Sequence, residues 1–281
     1  MTRPADRLPE FAIIGAVKGA TTWVAHQLRS QPGIFLPQQE PHYFSTAFDR
    51  GIDWYANLFR EAPAGARIGE KSADYLAHPW AAARLAALLP EARLVVQLRN
   101  PVDRAYSDYC MLFRRGTVDG DIRRHLSPGG PHPRFLEDGF YWRHLSRWLR
   151  HFPPGQLHIL FYDDVLADAE AELAKVAAHL RLGAVTPVAP EVRRNDSQAR
   201  MLPLHLRRAV APLKPVVAPF RDTGWFQSLH GRLARPVAYP PMDAELRRRL
   251  GELYAPDVEA LGRHVGRDLG GWVSSRPRVA A

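Results

Sequence analysis

A single cysteine, Cys110, stands among the 281 residues, so no intrachain disulfide can form and a reducing compartment is expected. On an apolar helical stretch, one thiol reads as a small buried residue rather than a nucleophile. Lysine is also scarce: only four of the 38 basic side chains are lysines, at 18, 71, 175 and 214. No apolar run approaches the roughly 20 residues of a membrane span, and the N-terminal segment lacks the apolar core of a secretion signal. These absences lead to the expectation of a cytoplasmic protein with no membrane span. A Walker loop, with lysine directly before Ser or Thr, is missing too, which weighs against an ATP-dependent kinase. Basic residues do not interleave with aromatics as a nucleic-acid surface would need, so no nucleic-acid partner is expected. The net charge of +9, from 38 basic and 29 acidic residues, suits an anionic ligand but follows equally from an arginine-rich composition.

What is present is enough apolar surface, 46% of residues, for one large core. Short apolar runs over 11–15, 34–36, 93–98 and 157–162 read as strands. Amphipathic stretches over 21–31, 54–59, 79–89, 101–114, 141–151, 168–180 and 242–265 read as helices, several opened or closed by proline. Alternation of this kind predicts an α/β fold: three layers, P-loop-like, with a central parallel sheet flanked by helices. Residues 1–281 are expected to form a single domain. Within it, 186–241 is rich in proline and arginine with little periodicity and reads as a lid or substrate loop, and 274–281 as a loose tail.

The first strand ends at Gly15, a loop carries Lys18, Gly19 and Ala20, and Thr21 and Thr22 open a helix. A strand, a tight loop and a helix start together make an anion site, because free backbone N–H groups and the helix dipole point at the same spot. Lys18 lies three residues ahead of Thr21, so the loop is a relative of the Walker loop with a different order. Thr21 and Thr22 can donate to a phosphate or cap the helix, and both roles are compatible.

This loop resembles the 5′-phosphosulfate loop of sulfotransferases that use 3′-phosphoadenosine 5′-phosphosulfate (PAPS). A second block, from Arg93 through Arg99, Asn100, Pro101 and Ser107 to Tyr109, is similar to their 3′-phosphate site, where an arginine and a serine eight positions on hold the phosphate. Glu40-Pro41-His42-Tyr43-Phe44 resembles the Glu-Pro-His-Phe-Phe stretch of heparan sulfate 3-O-sulfotransferases, whose glutamate is the catalytic base. The segments 51–55 and 69–75 look like parts of the heparan N-sulfotransferase domain. The likeness runs over about 11–182 and returns at Tyr239-Pro240-Pro241-Met242-Asp243.

The resemblance implies a PAPS-dependent sulfotransferase acting on a hydroxyl of a sugar, lipid or secondary metabolite, a small-molecule or glycan acceptor, without a metal. It assigns leaving-phosphate stabilisation to Lys18, and nucleotide contacts to Gly19, Ala20, Thr21, Thr22, Arg99 and Ser107. Glu40 is the expected base. His42 is its rival, since its intrinsic pKa suits neutral pH. Lys71 and Ser72 are expected at the acceptor, with an ordinary surface turn as the competing account. For Arg99 the competing account is a salt bridge with Asp103, while Arg104 is expected to pair with Asp103 or Asp108 on the surface. The heparan enzymes close over adenosine with a cysteine-flanked, Gly- and Lys-rich loop. That loop is missing here, and Arg194 and Arg200 are the candidates for its task. A kinase-like P-loop enzyme and a non-catalytic basic nucleotide-binding module are the alternatives; the order of the loop argues against the first, and the pairing of Lys18 with Arg99 and Ser107 against the second.

Overall fold

Parallel β-strands buried on both faces need near-continuous apolar sequence, and two segments have it. They are β1 (Phe11–Gly15) and β4 (Arg93–Leu98), adjacent and parallel at the middle of a five-stranded sheet. The computed structural model describes residues 7–189, 200–201 and 235–274. Sheet order is β2 (Ile34–Phe35), β3 (Arg67–Lys71), β1, β4, β5 (Leu157–Phe161), every pairing parallel. From β1 the chain runs first to the β2–β3 side, then crosses over to β4 and β5. Loops leaving the strands therefore diverge on either side of β1, which opens a crevice at the carboxyl ends of the strands.

Helices cover both faces. α1 (Thr21–Arg29) and α9 (Ala169–His179) supply Val24, Leu28, Leu173 and Val176 against Phe11, Ile13, Val95 and Leu160. On the other face lie α2 (Ile52–Asn57), α3 (Ala81–Leu88), α4 (Pro101–Arg115) and α7 (Tyr141–Trp148). The short α5 (Ile122–His125) and α6 (Arg134–Glu137), and the 22-residue α10 (Ala244–Val265), complete that layer, while α8 (Tyr162–Ala167) follows β5 directly. Ala12, Ile14, Leu94 and Val96 point into this second core beside Tyr55, Tyr109 and Trp148. Neighbouring residues of β1 thus feed opposite cores, as a pleated strand requires. The expected three-layer α/β arrangement is the one observed.

Local chemistry explains the best-defined helix. Asn100 caps α4, its side chain accepting from Val102 N (2.9 Å), and Pro101 occupies the first turn, where no N–H is needed. Gly116 closes α4 in the left-handed region. The competing account of Lys71 and Ser72 fails here: their segment is not a surface turn. It is β3 and its exit, paired to β1 and to β2, with Glu70 and Ser72 fully buried.

Much of 186–241, the expected lid, lies outside the described residues. Its first residues are held to α1: the side-chain amides of Gln27 and Gln31 each donate and accept, pairing with the backbone of Val188 and Thr186 at 2.8–2.9 Å. β6 (Arg200–Met201) and β7 (Arg235–Pro236) form an antiparallel pair. Arg194 lies outside the described residues, as does the side chain of Arg200, and the expected tail is described only at Ser274.

Candidate active site

At the end of β1 the loop folds back by its own backbone. Ala16 N donates to Gln97 O at 2.9 Å, and Gly19 N to Ala16 O at 2.8 Å, which seats the loop on the end of β4. Only glycine fits at 19, since a Cβ there would stand 2.3 Å from Gln97 O. Lys18 and Ala20 on either side adopt left-handed φ values of 65° and 70°. No side chain caps α1 at Ala20, and its first turn holds no acidic residue. An uncapped nine-residue helix behind a tightly wound loop suits an anion, with Thr22 exposed and Thr21 buried beneath.

The Lys18 ammonium reaches α4, lying 3.8 Å from Met111 Sδ. Met111 is one helical turn beyond Ser107, so the β1 loop reaches the face of α4 that carries Ser107. Arg99, just past β4, is half-buried, and its guanidinium lies 5.0 Å from the Tyr162 ring centroid at the end of β5. It makes no ion pair among the described residues. Asp103, the competing partner, pairs instead with Arg247 at 2.8 Å. Tyr239 and Pro240 return to the same helix: the Tyr239 ring packs 6.2 Å from Phe113, and Tyr106 donates to Pro240 O at 3.1 Å. Cys110 is partly buried between them, and burial pushes its thiol up to about 11, against the pull of Tyr106 and Lys18. That thiol is inert at neutral pH.

Arg104 corrects an expectation. It is not on the surface but fully buried, with Asp108 3.7 Å from its guanidinium and Phe135 O accepting from it. Asp108 in turn accepts two bonds from Arg134, at 3.0 and 2.9 Å. Arg104 therefore ties α4 to α6 and has no access to a ligand.

The second half of the site sits on the exit of β3. Ser72 N donates to Ile13 O (3.0 Å) and Leu76 N to Ile14 O (2.8 Å), which holds 72–76 against the end of β1. Onto this platform comes the loop after β2, with Glu40 and His42. One Glu40 oxygen accepts from Lys71 Nζ at 2.5 Å, the other from Ala73 N at 2.9 Å. His42 Nδ1 bonds Asp74 Oδ1 at 2.7 Å, and Ser45 donates to the other Asp74 oxygen at 2.6 Å. The Asp74 bond raises the His42 pKa above its ordinary value, with burial pulling the other way. Burial works to raise the Asp74 carboxyl, but the bonds from His42 and Ser45 outweigh it and leave it lowered. A carboxylate on Nδ1 directs the neutral imidazole to present Nε2 as a base.

The structure thus joins Glu40, His42 and Lys71 into one cluster and adds Asp74 as the His42 partner. Ser72, expected at the acceptor, is not exposed. It is buried, accepting from His42 N at 3.0 Å and donating to Glu70 at 3.1 Å. Sequence reasoning missed Glu70 altogether, and nothing about a glutamate beside Lys71 signals burial. Glu40, His42 and Asp74 also bring ligand atoms within 4.8 Å of one another, the one such group of three among the described residues. Each of those carboxylate and Nδ1 atoms already holds a hydrogen bond within the cluster or to Ser45, Lys71 or Ala73.

A profile of the sulfotransferase family matches residues 45–186, half of the chain. The chain belongs to the sulfotransferase family. That match begins after Glu40 and His42, but similarity to individual members extends further. Heparan sulfate glucosamine 3-O-sulfotransferase 3B1 of Mus musculus is 29% identical over 272 residues, covering 95% of this chain and 65% of that protein. Bifunctional heparan sulfate N-deacetylase/N-sulfotransferase 2 of Homo sapiens is 27% identical, covering 96% of this chain and 31% of that protein. The chain therefore spans just under two thirds of the first of these relatives and less than a third of the second. A sulfotransferase from Alicyclobacillus acidocaldarius shares the fold, with a TM-score of 0.70 at 24% identity over 95% of this chain and 100% of its own.

These relatives overturn one expectation. Heparan sulfate sulfotransferases are Golgi-lumenal, so a lone cysteine does not make a member of this family cytoplasmic. Among the described residues no helix is long and apolar enough to cross a membrane, and that places the chain in no compartment.

Proposed function

We propose that this chain transfers the sulfuryl group of PAPS to a hydroxyl acceptor by in-line displacement. The observation that carries the reading is the meeting of two half-sites at the carboxyl ends of β1, β3 and β4. One is the uncapped α1 start with Lys18 against the Ser107 face of α4, and the other is the Glu40–His42 cluster on the exit of β3. PAPS, when bound, supplies an activated sulfuryl group and two phosphates to be held.

Ala20, Thr21 and Thr22 offer backbone and hydroxyl donors to the 5′ side, Gly19 lets the loop close beneath them with its own N–H on Ala16 O, and Arg99 with Ser107 takes the 3′-phosphate, a forked guanidinium suiting a dianion. Lys18 follows negative charge as it grows on the leaving phosphate. Glu40 accepts the acceptor proton, using the lone pairs that Lys71 and Ala73 leave open, and Lys71 keeps the carboxylate aimed. A second reading gives the proton to His42 Nε2, and the Asp74 bond to Nδ1 is the observation that favours it. A glycan is the acceptor class suggested by the names of the relatives, and a smaller hydroxyl compound fits the same chemistry. We read residues 1–281 as one catalytic unit, with 186–241 covering the nucleotide through Arg194 and Arg200.

Thermal shift separates this reading from its rivals, because stabilisation follows ligand occupancy. Adenosine 3′,5′-bisphosphate is expected to raise the Tm, while ATP with magnesium and a DNA oligomer are not. A shift with ATP alone would overturn the proposal.

A further inference from the structure

Beneath the Glu40–His42 loop lies a fully buried carboxyl group. Glu70, on β3, is 0% exposed and faces three hydroxyls: Tyr55 at 2.5 Å, Tyr75 at 3.0 Å and Ser72 at 3.1 Å. A buried carboxyl is costly unless hydrogen-bonded. Here burial pushes it up to about 7 even with the three hydroxyls pulling the other way.

Two of those hydroxyls carry a second bond. Ser72 Oγ accepts from His42 N at 3.0 Å, and Tyr75 Oη accepts from Phe44 N at 3.2 Å. A hydroxyl has one hydrogen to give. When both hydrogens go to Glu70, the lone pairs must face the two amides. Glu70 thus sets the direction of both hydroxyls, and the hydroxyls hold the loop. The loop needs holding: His42 sits at φ 52°, a left-handed backbone that a non-glycine residue adopts at an energetic cost. The third hydroxyl, on Tyr55 of α2, holds no loop amide, which makes it an internal control.

We propose that Glu70 is a positioning residue: through Ser72 and Tyr75 it clamps the His42 and Phe44 amides and so fixes where Glu40 and His42 present their proton-accepting atoms. This rests on the reading of Glu40 and His42 as the proton-handling pair. Glu70→Gln can preserve the clamp, since its amide oxygen can face Ser72 and Tyr75 while its NH2 donates to the Tyr55 oxygen. Glu70→Leu removes it.

The experiment is residue-resolved amide exchange, with the His42 imidazole titration followed by NMR in the same samples. In Glu70→Leu the His42 and Phe44 amides should exchange about tenfold faster, the scale of one lost hydrogen bond. The Leu76 amide, bonded to Ile14 O, is the reference and should change less. The His42 titration should fall toward the ordinary histidine value in Glu70→Leu. It should move less in Glu70→Gln, which loses the same charge but keeps the clamp. Tyr55→Phe should lower the Tm and leave both amides protected.

The proposal is overturned if Glu70→Leu slows or leaves unchanged the two amides relative to Leu76. It also fails if Tyr55→Phe releases them equally, or if Gln and Leu shift His42 alike. Should Glu70→Leu not fold, Ser72→Ala and Tyr75→Phe test the next link, each expected to release its own amide and not the other. Adenosine 3′,5′-bisphosphate binding by the wild type is scored separately. Its absence sinks the sulfuryl-transfer reading, while binding with unresponsive amides sinks only the role of Glu70.

Discussion

Replacing Gly19 by alanine tests whether the β1 loop is a rigid cradle. The added Cβ would lie 2.3 Å from Gln97 O and 2.9 Å from Ala16 O, both backbone atoms. Neither can yield by side-chain rotation, and Gln97 is anchored in β4 between β1 and β5. Normal contact therefore demands that the loop lift by about 1 Å, an overpacking strain of about 1–3 kcal/mol. In a chain of this size that corresponds to a Tm loss of roughly 2–5 °C.

Function should suffer more than stability. A displacement of about 1 Å in a positioning element can cost about 10²-fold in rate, and here it carries Lys18 and the start of α1 with it. Differential scanning fluorimetry and titration with adenosine 3′,5′-bisphosphate give the two readouts, and PAP release from PAPS gives the third. Gly155→Ala is the control, because a Cβ there meets nothing within 4 Å. If Gly19→Ala kept the wild-type Tm and nucleotide affinity, the loop would not be seated on β4 as described.

The other predictions address single side chains. Lys18→Ala should stop turnover while preserving the Tm, and Arg99→Ala should lose much of the preference for PAPS over adenosine 5′-phosphosulfate; an undiminished preference would remove Arg99 from the 3′-phosphate site. Glu40→Gln should retain nucleotide affinity and lose about 10²–10⁴-fold in kcat, with His42→Ala losing less. The reverse order, read from kcat at several pH values, gives the proton to His42. His144 is buried, and burial pushes its pKa down to about 4, with Arg147 and Arg143 adding to the fall. Its folded pKa lies below the unfolded value, so the unfolded chain binds the proton more readily. Stability is then full above about pH 6.5 and declines toward pH 4, by about 2 kcal/mol at pH 5. Glu70 works in the opposite direction between about 4.5 and 7, its folded pKa being raised. Urea midpoints at pH 7 and pH 5 for wild type and His144→Gln isolate the histidine, and an equal drop in both would refute it.

The local geometry of the β1 loop and of the start of α4 was legible in the sequence because its signals are local. β4 reads as a buried strand from Leu94 to Leu98, Asn100-Pro101 starts a helix by capping chemistry, and the spacing of Arg99 and Ser107 follows from one strand end and one helix. The order of Gly15, Lys18, Gly19 and Thr21 marks a phosphate loop for the same reason, as strand, turn and helix start are adjacent in the chain. The cluster around Glu40 and His42 was only partly legible. Arg67-Ile68-Gly69-Glu70-Lys71 has the polarity of a surface turn, and it becomes a strand because β1 and β2 pair with it on either side.

Whether a charge is buried depends on partners from distant elements. Glu70 is enclosed by Tyr55 of α2, and Arg104 by the carbonyl of Phe135 on α6. Glu40 meets Lys71, and His42 meets Asp74, across intervals of 31 and 32 residues that no periodicity links. Sequence alone therefore determined which residues could bind a phosphate, since one loop and one helix start suffice for that. Only the tertiary structure decided which carboxylate faces the cleft and which lies beneath it, because desolvation and hydrogen-bond partners are properties of the assembled fold.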